Sequence, residues 1–154
     1  LAPVLREDPR VTDLQQTDIR LLQAERLPET PDFAACDVSF ISLRLVLPHI
    51  RRLLAREGQA VVLIKPQFEA GRSAVGRGGL VKDPRAHLRV LEEVLEQCRL
   101  QGLPAAGLIP SPIRGGDGNI EYLAWLRPGA EASFDLPGLV RRAWQTNGKE
   151  VRPE

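Results

Sequence analysis

The fold is decided by one stretch of the sequence, residues 60–69, which read AVVLIKPQFE. The stretch begins with five apolar residues, three of them β-branched, which is typical of a strand buried on both faces of a parallel sheet. The run ends at Lys65 and Pro66, and proline cannot donate a hydrogen bond to a sheet ladder. We therefore expect Lys65 at the carboxyl end of a central strand, where open α/β sheets bind their ligands.

Two other predicted strands each carry an acidic residue. Residues 33–40 read FAACDVSF and place Asp37 towards the end of a strand, whereas residues 120–126 read IEYLAWL and place Glu121 near a strand's start. No helix separates this last strand from the strand before it, so the two are expected to pair antiparallel. We expect Asp37, Lys65 and Glu121 to share one site.

Helices are predicted between these strands. Ser42 and Asp83 are the expected N-caps of two amphipathic helices. A last helix at residues 137–145 precedes a charged tail, and a short strand is expected at residues 11–16. The alternation of strands with helices, with an antiparallel last strand, predicts the second half of a doubly wound α/β sheet.

Composition narrows the possible functions. The net charge of +1 gives no bulk attraction to nucleic acid or membrane, so any basic surface must be local. Cys36 and Cys98 lack metal-ligand spacing and are expected to be buried free thiols, as in a reducing cytoplasm. We expect no metal site, and the chain has no apolar run near 18 residues that would span a membrane.

Five segments of the chain, spread between Asp8 and Arg127, resemble the TlyA (hemolysin A-like) family of ribosomal RNA 2′-O-methyltransferases, which are related to the FtsJ RNA methyltransferases. The segments are residues 36–43 (CDVSFISL), 63–72 (LIKPQFEAGR), 75–84 (VGRGGLVKDP), 110–113 (PSPI) and 118–123 (GNIEYL). The resemblance implies a Rossmann-like methyltransferase sheet, S-adenosylmethionine as methyl donor, and a ribose hydroxyl of ribosomal RNA within a ribosomal subunit as acceptor.

The resemblance also implies roles for individual residues. The family carries a Lys-Asp-Lys-Glu catalytic set, and Asp37, Lys65 and Glu121 match its last three members. Asp18, Asp37 and Val38 match cofactor-binding positions. For Asp18 a second interpretation stays open, because an acidic residue after a short strand is commonly a turn former.

The family's first lysine, first strands, glycine-rich cofactor turn and S4-type RNA-binding domain are all expected before Leu1. The chain has no methionine and starts at Leu1, so we interpret it as a fragment or processed segment. Residues 1–130 are then the carboxyl-terminal part of the catalytic domain, and residues 131–154 are the terminal helix and charged tail of the same domain. The alternative function is a catalytically inactive RNA-binding or assembly module that keeps the fold.

A lysine removes a proton from a ribose hydroxyl only when its amine is neutral, which burial and nearby positive charge favour. Lys65 is the expected base, and Asp37 and Glu121 are expected to orient it and the ribose. Each residue also has an alternative without a catalytic role. The alternatives are a solvated lysine for Lys65, a cap of the next helix for Asp37, and an exposed strand residue for Glu121.

The segment after Phe68 holds four glycines and three basic residues and is interpreted as a mobile loop or lid. Its Arg72, Arg77 and Lys82 are expected to contact RNA phosphates, unless they form a solvated face balanced by nearby acids. Phe68 either stacks on a base or packs in the core.

Overall fold

The computed structural model describes residues 1–146, in which one sheet packs against helices. The strands are β1 (Phe33–Cys36), β2 (Gln59–Ile64), β3 (Ala105–Pro110) and β4 (Tyr122–Leu126). The helices are α1 (Pro3–Arg6), α2 (Leu43–Leu53), α3 (Pro66–Glu69), α4 (Pro84–Leu100) and α5 (Leu136–Thr146), with single 3-10 turns at Ala24–Arg26, Arg72–Ala74 and Arg77–Gly79.

The sheet has the strand order β1-β2-β4-β3. β1 pairs parallel with β2, whereas β4 pairs antiparallel with both β2 and β3, so three strands run one way and the last runs back. Ile64 pairs with Tyr122, and one more step along this register sets Lys65 opposite Glu121. The mostly parallel sheet with an antiparallel last strand, predicted from the sequence, is confirmed.

The two predicted N-caps start their helices. The Ser42 hydroxyl accepts a hydrogen bond from the Arg44 amide at 3.2 Å, and the Asp83 carboxylate accepts one from the Arg85 amide at 2.9 Å. Each bond satisfies one of the amides that the first helical turn leaves without a partner. α5 lies where a last helix was expected, while the predicted charged tail, residues 147–154, lies outside the described residues.

The core lies on one face of the sheet, under α2, α4 and α5. Alternate residues of β2 and β4 point into it and pack against apolar side chains of the helices. The opposite face is only partly covered, since Val61 and Leu63 are half-buried and Trp125 is exposed. The prediction that β2 is buried on both faces is therefore wrong for the described residues, where the layer of long helices covers a single face.

Two strand predictions need correction at their ends. Residues 11–16 form no strand, because they pair with no ladder and Gln16 turns the backbone at φ 53°. β1 ends at Cys36 rather than Phe40, whose own φ of 61° is incompatible with an extended chain. Asp37 therefore lies on a short loop just beyond the strand, at the edge where ligands of such sheets bind.

Candidate active site

Asp37 and Lys65 form an ion pair at the carboxyl edge of the sheet. The Lys65 ammonium lies 2.6 Å from the Asp37 carboxylate and donates to the Ser39 hydroxyl at 3.3 Å. The two residues meet because each directly follows one of two neighbouring parallel strands. The Lys65 side chain is 14% exposed and that of Asp37 is 66% exposed, so the pair presents its carboxylate to solvent.

Glu121 lies at the same edge but bonds to a different partner. Its carboxylate, in a residue only 5% exposed, accepts a hydrogen bond from the side-chain amide of Gln67 at 2.9 Å. Within residues 1–146, the ion pair that Lys65 forms is with Asp37 and not with Glu121. The sheet register still sets Glu121 across from Lys65, so the three predicted catalytic residues converge on one edge.

Glu69, at the end of α3, ties this edge to the start of α2. Its buried carboxylate accepts hydrogen bonds from the Ser42 hydroxyl at 2.6 Å and from the Leu43 amide at 2.7 Å. A carboxylate at a helix N-terminus is favourable because the first amides lack partners and the helix dipole is positive there. The segment after Asp37 and the segment after Lys65 are thereby fastened together.

The residues matched to cofactor binding differ in their surroundings. Asp18 pairs with Arg20 at 2.7 Å and also accepts from the Arg20 backbone amide at 2.9 Å, which is the geometry of the turn former left open above. The Arg20 side chain lowers the pKa of the Asp18 carboxyl to about 2. Val38 is half-buried against the core, directly beside Asp37. The cofactor role of these residues stays a prediction.

An aromatic pair borders a groove next to the ion pair. The rings of Phe40 and Phe68 lie 5.0 Å apart, and Phe40 is 92% exposed. Both line a groove of about 610 Å³ whose wall also includes Arg72. Phe40 holds a left-handed backbone conformation that is strained for a bulky residue, and such strain is concentrated at functional sites.

The other predicted RNA-binding residues lie farther along the loop. Arg77 is exposed on a 3-10 turn, and Lys82 lines a separate cavity of about 430 Å³. The end of the loop is fixed by Asn119, a buried residue that accepts from the Val81 amide at 3.0 Å and donates to the Gly79 carbonyl at 2.9 Å. The structure thus brings Phe68 and Arg72 to one groove and sets Lys82 at another.

His87 anchors the same loop from within the core. Its Nε2 lies 2.9 Å from the Val81 carbonyl, which can only accept, so Nε2 carries the proton and Nδ1 accepts from the Tyr122 hydroxyl at 3.0 Å. Burial lowers the pKa of His87, which agrees with this neutral ring. Burial also raises the pKa of the Cys36 thiol to about 11, helped by the adjacent Asp37 charge, so Cys36 is no thiolate nucleophile at neutral pH.

Within residues 1–146, no three or more His, Cys, Asp or Glu residues group as a metal site would require. In the same part of the chain, no helix is long and apolar enough to cross a membrane.

The sequence analysis missed four residues of this edge: Gln67, Glu69, Phe40 and Asn119. Gln67 and Glu69 stand in the stretch that decides the fold, two and four residues beyond Lys65. The available signal was the alternation of polar residues after the predicted strand: Gln67 and Glu69 follow Lys65 at every second position. Nothing in the sequence marks the left-handed backbone of Phe40.

Comparison with known proteins extends these observations to a family. The FtsJ-like methyltransferase family matches residues 1–128. The protein named "Putative rRNA methyltransferase YqxC" of Bacillus subtilis is 47% identical over 140 residues, which cover 89% of this chain and 50% of that protein. The 16S/23S rRNA (cytidine-2′-O)-methyltransferase TlyA of Mycobacterium tuberculosis is 40% identical over 139 residues, which cover 90% of this chain and 52% of that protein.

A solved structure has the same fold. The structure titled "Putative hemolysin from Streptococcus thermophilus" superposes with a TM-score of 0.87 at 38% identity, covering 93% of this chain and 54% of that one. The chain spans about half the length of the curated relatives it matches, 50% and 52%. The resemblance predicted from the motifs is confirmed, and the chain belongs to the FtsJ-like methyltransferase family.

Proposed function

We propose that this chain carries catalytic residues for the S-adenosylmethionine-dependent 2′-O-methylation of ribosomal RNA, and that it works in the cytoplasm on a ribosomal subunit. The observation that carries the proposal is the 2.6 Å pair of Asp37 and Lys65, held at the carboxyl ends of two parallel strands with Glu121 on the facing strand. Relatives named as rRNA cytidine-2′-O-methyltransferases support the substrate class.

The residues present fit a cationic cofactor. S-adenosylmethionine supplies a methyl group on a positively charged sulfonium, beside an ammonium group. Asp37 offers an exposed carboxylate for such charges, and the half-buried Val38 offers an apolar contact next to it. Asp18 is a weaker candidate, because Arg20 bonds both of its carboxylate oxygens, whereas the ion pair of Asp37 with Lys65 uses Oδ1.

Lys65 is the proposed base for the ribose hydroxyl. Its side chain is 14% exposed, and the residue directly follows β2, at the edge of the sheet where ligands of such folds bind. Asp37 and Ser39 fix the direction of the amine, and Glu121 orients the ribose. A positioned base contributes about 10²–10⁴-fold to a rate, and alignment of the reactants contributes a comparable or larger factor.

The groove beside the pair supports an RNA substrate. Phe40 and Phe68 offer an aromatic surface on which a base can stack, and Arg72 adds positive charge to the same wall. Arg77 and Lys82 extend the basic surface along the loop and are proposed to contact phosphates.

The test is methyl transfer by the protein at its full natural length. It is incubated with ribosomal subunits and S-adenosylmethionine labelled in the methyl group, and the labelled RNA is then hydrolysed in alkali. A 2′-O-methyl group blocks alkaline cleavage at its own nucleotide, so we expect the label in alkali-resistant dinucleotides. Label in mononucleotides would mean base methylation, and absence of label would favour the inactive RNA-binding module.

A further inference from the structure

Gln67 is a polar residue at the centre of the site to which the resemblance assigns no role. We propose that Gln67 is a positioning residue for the methylation reaction, in that its side-chain amide fixes the Glu121 carboxylate at the substrate edge of the sheet. This inference rests on the proposed function, and it adds a residue to the machinery of the same site.

The contact itself is long-range and charge-assisted. The Gln67 Nε2 donates to Glu121 Oε1 at 2.9 Å across 54 residues of sequence. Glu121 is only 5% exposed, and a buried carboxylate is destabilising unless hydrogen bonds replace its lost hydration. The Gln67 amide supplies such a bond, and hydrogen bonds to a charged group are the stronger kind.

The orientation of the amide follows from this charge. With the amide reversed, the Gln67 oxygen would face the carboxylate and repel it, so the donor side must face Glu121. The remaining oxygen, Oε1, is buried and has no hydrogen-bond partner among residues 1–146. Buried acceptors without partners are uncommon, and each calls for a functional or structural reason. Here the reason is the bond that the other end of the amide makes.

Gly115 lies close to the same carboxylate. A Cβ atom at Gly115 would collide with Oε1 of Glu121, the oxygen that Gln67 bonds, so the observed position of the carboxylate requires glycine there. Gly115 begins a tight turn in which its amide donates to the Asn119 carbonyl at 3.0 Å and its carbonyl accepts from the Gly118 amide at 2.7 Å. The carboxylate therefore lies against a hydrogen-bonded backbone turn and accepts from the Gln67 amide.

The position of Gln67 on α3 links two site residues. Lys65 directly precedes the helix, and Gln67 lies in its first turn, so one rigid turn sets both the amine and the amide. Lys65 pairs with Asp37 while Gln67 bonds to Glu121, which the register sets opposite Lys65. The turn that follows the base therefore also contacts the orienting carboxylate.

The experiment compares Gln67→Met with the control Gln101→Met in the protein at its full natural length. Methionine keeps the side-chain length and removes the amide donor, and Gln101 follows the far end of α4. We measure kcat and KM for methylation of ribosomal subunits, the Kd for S-adenosylmethionine, and thermal unfolding. Gln67→Met is expected to lower kcat by about 10–100-fold, the range for a lost hydrogen bond to a charged group, with KM and Kd within about 2-fold.

One further readout separates positioning from folding. In a Glu121→Ala background, Gln67→Met should lower kcat no further, because the residue acts through Glu121. If Gln67→Met unfolds, Gly115→Ala provides a second test, because the added Cβ displaces the same carboxylate and should lower kcat similarly.

The outcomes separate the two proposals. A wild-type protein that transfers methyl groups, with kcat unchanged in folded Gln67→Met, overturns the positioning role alone. So does an undiminished kcat in Gly115→Ala where Gln67→Met does not fold. A wild-type protein that transfers no methyl group to ribosomal RNA overturns the proposed function, and this inference with it.

Discussion

Asp37 reaches Lys65 because each is the first residue beyond one of two parallel, paired strands. In the register, Cys36 pairs with Val62, so β2 runs two residues farther than β1 at this edge. The loop that follows Cys36 carries Asp37 to within 2.6 Å of Lys65. Glu121 is delivered by an antiparallel strand, so it enters the same edge at the strand's start rather than its end. A site built this way needs only one residue from each strand.

His87 gives the protein a pH-dependent stability. Burial lowers the pKa of His87 in the folded state below its ordinary value near 6.5, so the unfolded chain takes up the proton first as the pH falls. The free energy of unfolding should be unaffected by His87 above about pH 6.5, and should fall below it by up to about 1.4 kcal/mol per pH unit.

Urea unfolding between pH 5 and pH 8 checks this prediction. His87→Gln cannot take up the proton, so its acid slope should be shallower than that of the wild type. Gln101→Ala, at the end of α4, removes no titratable group; it is the control and should keep the wild-type slope. Parallel pH curves for wild type and His87→Gln would contradict the buried, neutral His87.

At the scale of elements, α3 is the part that connects the site. This helix of four residues follows Lys65 directly, donates from Gln67 to Glu121, and ends in Glu69, which caps α2. Its first residue, Pro66, needs no amide partner at the start of a helix. Three side-chain links from one turn fix the strand ends and the next helix relative to each other.

Removal of the Glu69 carboxylate should destabilise the protein. Glu69→Ala leaves the Leu43 amide and the Ser42 hydroxyl without their acceptor, and we expect a loss of about 2–3 kcal/mol in the free energy of unfolding. Glu92→Ala, on the exposed side of α4, should change it by less than about 0.5 kcal/mol. Urea unfolding measures both.

Hydrogen exchange adds a local readout to the same pair of variants. The first amides of α2 should exchange faster in Glu69→Ala than in Glu92→Ala, because they lose their acceptor. Equal stability and equal exchange in the two variants would show that Glu69 does not cap α2.

The elements themselves follow largely from local chemistry. Ser42 and Asp83 start their helices as predicted, since a side-chain oxygen before an apolar period is a strong local signal. The predicted strand at residues 11–16 fails because strand formation depends on a partner that the local sequence does not specify. The hydrogen-bond partners of Glu69 and Gln67 lie 26 and 54 residues away in the sequence. A local sequence pattern does not predict contacts between residues so far apart.

At the scale of the whole molecule, charge is local rather than global. The net charge is +1, yet Arg72, Arg77 and Lys82 are all exposed on one loop beside the aromatic groove. The sequence places these residues on that loop, whereas the separation of Arg72 and Lys82 into two cavities depends on how Asn119 fixes the loop's end.

Neutralising the loop should change how RNA binding depends on salt. With Arg72, Arg77 and Lys82 replaced by Gln, we expect weaker binding to ribosomal RNA and a plot of log K against log salt that is flatter by about 2, since each phosphate contact contributes about 0.7–0.9. Replacing the exposed Arg10 and Arg56 is the control and should leave the slope unchanged. An unchanged slope in the loop variant would remove the loop from the RNA surface.

The central claim, that Lys65 is the base for ribose methylation, is tested most directly by kcat for methylation of ribosomal RNA in Lys65→Arg. Arginine keeps the positive charge and the pairing with Asp37, but it cannot lose its proton in the working pH range. The account predicts that kcat falls by about 10²–10⁴-fold while calorimetry shows an unchanged Kd for S-adenosylmethionine. Full methylation by Lys65→Arg would contradict it, because Lys65 would then serve only as a charge.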